Sequence, residues 1–135
     1  MKAVVLEDYA IQQGDLDWSD PGDLTWQGIE RLGTLVRYDR TPEPLIVPRI
    51  GDAEIVFLNK CRIDEAVLVQ CPKLRWVGII ATGTDNLDLK ACRRHGVPVA
   101  NVPGYSTYSV AQMTFSLLLA ICQCADRYHR LVQDG

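Results

Sequence analysis

The sequence lacks the short motifs that by themselves mark a nucleotide-binding or hydrolytic site. Its ten glycines include no Gly-x-Gly pair, so the dinucleotide-binding pattern G-x-G-x-x-G is absent, and no glycine precedes a lysine as in a P-loop. There is also no Cys-x-x-Cys pair and no G-x-S-x-G turn around a serine. We therefore find no complete phosphate-binding loop and no nucleophile–base pair in the 135 residues.

Charge of one sign and long hydrophobic runs are also scarce. The net charge is −3, and no basic block or stripe is present. Proteins that bind nucleic acid or an anionic membrane surface present basic patches, so we expect neither partner. The most apolar stretch, residues 110–125, contains Gln112, Ser116 and Gln123, whereas a membrane span needs about 20 predominantly apolar residues. This stretch predicts a buried helix.

The residues that bind metals are few and poorly spaced. Of the two histidines, His95 is interpreted as a helix-end cap and His129 as a solvated residue. The cysteines number five, and Cys122 and Cys124, two residues apart, point to different sides of a helix and cannot share a metal. We expect no metal site and reduced, mostly buried thiols in a cytoplasmic protein.

Short apolar runs alternate with helical patterns along the chain. The predicted strands are residues 2–7, 34–39, 54–59, 74–81 and 97–102. The predicted helices are residues 20–33, a short one near 43–51, 63–71, 86–96 and a long one from about 108. Strands separated by helices indicate a parallel sheet covered on both faces. We predict an α/β fold: a flavodoxin-like, doubly wound, five-stranded parallel sheet with flanking helices and a long C-terminal helix.

Small and amide residues follow several of these strands. Ligands of such sheets bind beyond the carboxyl ends of the strands, where the sequence has Glu7-Asp8, Asn59-Lys60, residues 81–84 and residues 101–104. Glycine admits a close approach of the backbone, and free N–H groups bind oxyanions. The same residues are ordinary turn formers, so both interpretations stay open. A phospho-receiver is excluded because Asn59 stands where it needs an aspartate.

Three blocks carry a more specific signal. "LVQCPKLRWVGIIATGTDNLDL" (68–89) is similar to L-x-x-x-P-x-L-K followed by G-x-G-x-D-N-x-D, and "ACRRHGVPVANVPGYST" (91–107) to A-x-x-x-G-I-x-V-x-N-x-P-G. "SVAQMTFSLLLA" (109–120) is similar to V-A-E followed by an apolar helix. In this order and spacing they resemble the D-isomer-specific 2-hydroxyacid dehydrogenases. The segments "FLNK", "ATGTDN" and "GYSTYSVAQ", with Gln112 replacing the Glu of V-A-E, most resemble the glycerate dehydrogenase (hydroxypyruvate reductase) branch.

The resemblance implies a domain organisation. Residues 1–107 correspond to the substrate-binding, or catalytic, domain, and residues 108–135 to an apolar helix that leads to a Rossmann domain for NAD or NADP. The catalytic arginine, glutamate and histidine of the family belong to that further segment, so we expect no catalytic residue in this chain. We expect a truncated protein, an isolated domain or an incomplete gene product, inactive alone and without tight coenzyme binding.

The resemblance also implies a substrate site for a small 2-hydroxy or 2-keto acid, glycerate or hydroxypyruvate. The substrate carboxylate is expected on the backbone N–H groups around Ala81, Thr82 and Gly83. The remaining assignments are Asn59 and Lys60 lining the cleft, Thr82 and Val110 near the nicotinamide, and Asn101 and Gly104 shaping the loop before the long helix.

Some roles stay open. Asp85 is interpreted mainly as a cap of the helix 86–96, with direct substrate contact by Asp85 or Asn86 as the alternative. Tyr105 and Tyr108 either close over the cleft or pack. The apolar helix predicts a homodimer through residues 108–131. A non-catalytic binding or interaction module of the same fold is the alternative function.

Overall fold

The structure, a computed structural model, describes residues 1–10 and 25–133. The chain divides into two compact units, Met1–Pro103 and Gly104–Gly135. The first contains the sheet and the second contains the last two helices. Part of the predicted helix 20–33 lies outside the described residues, and the helix observed there is α1 (Gln27–Glu30).

The first unit is built on one five-stranded sheet. Strands β1 to β5 are Lys2–Val5, Thr34–Arg37, Ile55–Leu58, Trp76–Ile79 and Val99–Ala100. All neighbouring strands are parallel, and their order is β2-β1-β3-β4-β5. This is the flavodoxin-like strand order, and it confirms the predicted fold class.

One face of the sheet carries the main hydrophobic core. Alternate residues of a strand point to the same face, and on this face they are Val4, Leu6, Val56, Leu58, Val77 and Ile79, each at most 1% exposed. Helices α2 (Ile46–Ile50), α3 (Glu65–Gln70) and α4 (Leu89–Arg94) contribute buried residues to the same cluster. A 3-10 turn at Glu43–Leu45 precedes α2, which confirms the short helix predicted near 43–51.

The opposite face is aromatic. The ring of Phe57 lies edge-on between Trp26 and Trp76, with centroid distances of 5.1 and 5.3 Å. Trp76 lies over Gly78, two residues along the same strand, and a Cβ on Gly78 would stand 2.4 Å from two of its ring carbons. The absence of a side chain at Gly78 is therefore what lets the indole of Trp76 lie along the strand.

Helix α4 begins later than predicted, and a different aspartate caps it. The carboxylate of Asp88 accepts a 2.9 Å hydrogen bond from the N–H of Ala91, so the interpretation of Asp85 as the cap is wrong. Residues 85 and 86 form a turn, and Leu87, directly before Asp88, forms a parallel bridge with Ile63. Helix α4 starts only at Leu89, after this bridge, and Gly96 follows its last turn with a left-handed φ of 68°.

The second unit consists of α5 (Thr107–Cys122) and α6 (Ala125–Gln133). The predicted single helix is interrupted at Cys124, whose φ is 51°. Taken by itself, this unit buries none of α5, since every residue from Thr107 to Cys122 is exposed, and the prediction of a buried helix is wrong. No single helix among the described residues has the length and apolar composition of a membrane span; α5 together with residues 127–133, bent by 62°, meets that test only as a pair.

Candidate functional site

The turn that follows β4 presents a run of open backbone donors. None of the N–H groups of residues 81–84 donates a hydrogen bond to another described residue. Thr82 and Gly83 are exposed, and a Cβ added to Gly83 would meet nothing closer than the carboxylate of Asp85, at 3.8 Å. Consecutive free N–H groups next to open space form a site that an oxyanion can occupy.

The other side of this turn is anchored to the segment after β5. Asn101 donates its side-chain amide to the carbonyl of Thr82 at 2.8 Å, and the Thr82 hydroxyl donates to the carbonyl of Val102 at 3.0 Å. The N–H of Val102 donates to the carbonyl of Ala81 at 3.1 Å. The carbonyl groups of Ala81 and Thr82 are thus engaged, whereas the N–H groups of residues 81–84 have no partner among the described residues. The structure therefore brings Thr82 and Asn101, both predicted from the sequence, into contact.

The loop after β3 is different, because its donors are already occupied. The N–H groups of Asn59, Lys60 and Cys61 all donate to one oxygen of Glu7, Oε2, at 2.8, 2.5 and 2.7 Å. Glu7 is only 6% exposed. Asn59 and Lys60 were predicted to line the cleft. Their N–H groups are occupied, whereas their side chains have no hydrogen bond to another described residue.

Glu7 is the residue that sequence reasoning missed. Glu7-Asp8 was noted among the residues that follow the strands, but no role was assigned to Glu7. The available signal was its place directly after a buried strand, at the carboxyl edge where backbone donors of neighbouring loops converge. Its neighbour Asp8 is 1% exposed and accepts a 2.7 Å hydrogen bond from the indole of Trp26.

Asn86 joins the two loops. Its side-chain amide donates to the carbonyl of Asn59 at 3.2 Å and to the carbonyl of Cys61 at 2.6 Å. The amide of Asn86 therefore has a structural role, and it connects the segment after the turn 81–84 to the loop after β3. An open cavity of about 660 Å³ lies between these segments, and its lining residues are Lys60, Arg62, Asp64, Asp85, Asn86, Leu87 and Asp88.

The thiol of Cys61, at the end of the loop after β3, is unreactive near pH 7. Burial, and after it the neighbouring carboxylate of Glu7, raise the pKa of Cys61 to about 12. Its Sγ donates a weak hydrogen bond to the carbonyl of Thr41 at 3.6 Å. Cys61 is therefore a neutral thiol near pH 7 rather than a nucleophile. No group of three metal-binding side chains occurs in residues 1–10 and 25–133.

Two predicted site residues belong to the other unit. Val110 lies in the first turns of α5 and is 59% exposed. Gly104 opens this unit with a φ of 71°, a conformation that favours glycine and lets the chain turn into α5. The predicted approach of Thr82 and Val110 to a nicotinamide stays a prediction.

Known proteins of similar sequence share this part of their chains. A hydroxypyruvate reductase of Blautia hydrogenotrophica is 41% identical over 138 aligned residues, which cover 100% of this chain and 40% of the relative. A glycerate dehydrogenase of Methylorubrum extorquens is 34% identical over 95 residues, which cover 70% of this chain and 30% of the relative. The chain thus spans two-fifths or less of the length of these relatives.

Solved structures show the same fold. The NAD-dependent formate dehydrogenase of Staphylococcus aureus, in complex with NAD, matches with a TM-score of 0.74 at 22% identity, over 100% of this chain and 41% of that one. The D-lactate dehydrogenase of Aquifex aeolicus, complexed with NAD and lactic acid, matches with a TM-score of 0.70 at 22% identity, over 97% and 38%.

The family model for the catalytic domain of the D-isomer-specific 2-hydroxyacid dehydrogenases matches residues 21–128. This range contains the turn 81–84, its anchor Asn101 and the whole of α5. The likeness to hydroxypyruvate reductase and glycerate dehydrogenase confirms the branch indicated by the sequence motifs. The chain belongs to the D-isomer-specific 2-hydroxyacid dehydrogenase family, through that family's catalytic domain.

Proposed function

We propose that residues 1–135 form the substrate-binding part of an NAD(P)-dependent oxidoreductase that acts on small D-2-hydroxy acids, glycerate and hydroxypyruvate first among them. The observation that carries the proposal is the run of unengaged N–H groups in residues 81–84, at the carboxyl end of β4. The name of the 41% identical relative, a hydroxypyruvate reductase, supports the choice of substrate.

The chemistry of this turn suits a carboxylate. Hydrogen bonds from N–H groups to a charged acceptor contribute roughly 1.5–3 kcal/mol each. Asn101 and Val102 hold the carbonyl side of the turn, so its N–H groups are oriented before the substrate arrives. A carboxylate bound there would fix the direction of the neighbouring C2 atom, which is the atom oxidised or reduced.

The nicotinamide coenzyme, when bound, accepts or supplies the hydride. Thr82 and Val110 are proposed to approach its nicotinamide end; Thr82 presents an exposed backbone and Val110 an exposed apolar side chain, which suit an uncharged ring. We propose that these 135 residues alone bind neither NAD nor NADP tightly and do not turn over, because the family's arginine, glutamate and histidine are expected in a further segment.

The helical part is proposed to serve assembly. Residues 1–107 would form the substrate domain and residues 108–135 the connecting helix. The boundary between the two compact units of the structure, after Pro103, lies close to this proposed boundary. The helix carries exposed apolar side chains, among them Phe115, Leu118 and Ile121. We propose that a homodimer forms through residues 108–131; a monomer by light scattering at micromolar concentration would contradict this. The cytoplasmic location remains a prediction.

The substrate proposal is tested by titrating the ¹⁵N-labelled chain with D-glycerate. We expect chemical-shift changes concentrated at the amides of residues 81–84, and none with glycerol, which has the same carbon skeleton without the carboxylate. Shifts confined to other regions would exclude this turn as the carboxylate site. A parallel assay with hydroxypyruvate and NADH should show no substrate-dependent loss of NADH, and such a loss would refute the inactivity of the isolated chain.

A further inference from the structure

The strand order creates a crevice that this chain fills itself. The chain passes from β1 outward to β2 and then returns to the other side of β1 to form β3. Sheets of this kind bind ligands outside the carboxyl ends of the two strands at which the order reverses, here β1 and β3. Glu7, just after β1, and the loop 59–61, just after β3, occupy this place.

The arrangement in the crevice is that of a bound anion. Three consecutive N–H groups, those of residues 59–61, converge on one carboxylate oxygen at 2.5–2.8 Å. The carboxylate of Glu7 is nearly inaccessible, at 6% exposure. Charge-assisted bonds of this kind are stronger than neutral ones. A second anion therefore cannot use these donors, in contrast to the free N–H groups of residues 81–84.

The same loop is held from its other side by Asn86. Glu7 accepts hydrogen bonds from the N–H groups of the loop, while the amide of Asn86 donates to the carbonyl groups of Asn59 and Cys61. The backbone of Lys60 is thus fixed on both sides. Its ammonium group has no ion pair with another described residue. Lys60 also lines a cavity together with Asp85 and Asn86, the two residues that directly follow the turn 81–84 in the sequence.

We propose that Glu7 is a positioning residue of the substrate site. Its carboxylate fills the crevice between β1 and β3 and holds the loop 59–61, so that Lys60 stands beside the turn 81–84 as the cation that faces an anionic substrate. The carboxylate of the substrate is thereby restricted to the turn after β4. This inference rests on the proposed binding of a 2-hydroxy acid, and Glu7 acts through Lys60 rather than by touching the substrate.

The test uses the ¹⁵N-labelled chain and its variants Glu7→Gln, Lys60→Met and the double variant, with Glu30→Gln as a control. Glu30 is an exposed acid of α1, and its carboxylate has no hydrogen bond to another described residue. The first readout, amide hydrogen exchange of residues 59–61, needs no ligand. We expect Glu7→Gln to speed exchange there by about tenfold or more, since the charge-assisted bonds weaken, and Glu30→Gln to leave it unchanged.

The second readout is the Kd for D-glycerate. We expect Glu7→Gln to weaken binding by about fivefold and Lys60→Met by a similar factor, with the double variant no weaker than Lys60→Met alone. A residue that only stabilised the fold would give multiplied effects in the double variant. Unchanged exchange at residues 59–61, unchanged D-glycerate binding in Glu7→Gln, or multiplied effects would each overturn the positioning role. If the wild-type chain bound no D-glycerate, the proposed function itself would fall, and this inference with it.

Discussion

The side-chain amide of Asn86 donates a 2.6 Å hydrogen bond to the backbone carbonyl of Cys61. This bond connects the segment after β4 to the loop after β3, two regions that are 25 residues apart in the sequence. A second bond from the same amide reaches the carbonyl of Asn59. Hydrogen bonds from Asn86 therefore connect the two neighbouring loops of the candidate site directly, and a substitution at Asn86 should affect both loops.

Replacing Asn86 with aspartate keeps the shape of the side chain and removes its two donors. A carboxylate facing two carbonyl groups leaves those groups unsatisfied, so we expect Asn86→Asp to lower the free energy of unfolding by about 1–3 kcal/mol. Urea denaturation followed by fluorescence measures the change. The matched control is Gln112→Glu, an exposed amide in α5 without a hydrogen bond to another described residue. Equal stability of the two variants would contradict the structural role of Asn86.

A substitution at Gly83 should affect carboxylate binding without affecting the stability of the fold. Gly83 has a φ that other residues adopt, and a Cβ there is 3.8 Å from its nearest neighbour. Gly83→Val should therefore change the free energy of unfolding by less than about 0.5 kcal/mol. It should abolish D-glycerate binding, because a branched side chain next to the free N–H groups blocks the approach of the carboxylate. Gly83→Ala serves as the graded control, and unchanged affinity in the valine variant would refute the assignment.

Substitution of Gly78, unlike that of Gly83, is expected to destabilise the fold. The ring of Trp76 occupies the space that a side chain at Gly78 would need, so Gly78→Ala must displace this ring and disturb its contact with Phe57. We expect a loss of about 1–3 kcal/mol in the free energy of unfolding. Gly28→Ala, in α1 and with nothing within 4 Å of its Cβ, should be neutral or stabilising by up to about 1 kcal/mol. Thermal denaturation of both variants checks the contrast.

The contact between α3 and α4 should depend on pH. Glu65 accepts hydrogen bonds from His95, at 2.6 Å, and from Arg94, and these two partners, His95 first, hold the pKa of its carboxyl below the ordinary value of 4.5. A carboxyl whose pKa is lowered by folding stabilises the protein above its unfolded pKa, and this stabilisation is lost as the pH falls through the folded pKa. The group is exposed, so the contribution is small.

Glu65→Gln should therefore flatten the loss of stability on acidification. Urea denaturation between about pH 6 and about pH 3 measures the slope in each protein. The control is Glu43→Gln, because Glu43 is an exposed acid without an ion pair to another described residue. The control should keep the wild-type slope, and an equal slope in Glu65→Gln would argue against the contribution of the ion pairs.

The sheet and its strand ends could be predicted from the sequence because the evidence for them is local. Short runs such as residues 54–59 and 74–81 are apolar, and small or amide residues follow them. The turn at Thr82 and Gly83 was therefore located correctly after its strand, at β4. The resemblance to a known family then supplied the expected role of the backbone, which no local pattern could provide.

The features that were not predicted correctly from the sequence depend on contacts between distant parts of the chain. Both Asp85 and Asp88 are plausible helix caps by sequence, and the bridge between Ile63 and Leu87 decides in favour of Asp88. The partnership of Glu7 with the loop 59–61 spans more than fifty residues, so no window of sequence shows it. The long helix was predicted to be buried from its composition, but composition does not state what covers a helix.

The buried carboxylate of Glu7 also makes this fold a candidate for chemical complementation. Glu7→Ala would leave three N–H groups of the loop 59–61 facing a space of about the size of a carboxylate. Formate, added from solution, has the charge and shape to replace the missing group. The variant should then gain stability with formate concentration as expected for a ligand that binds only the native state, and the wild-type protein should not. The crevice between β1 and β3, which Glu7 fills, would thus become a ligand site by the loss of a single side chain.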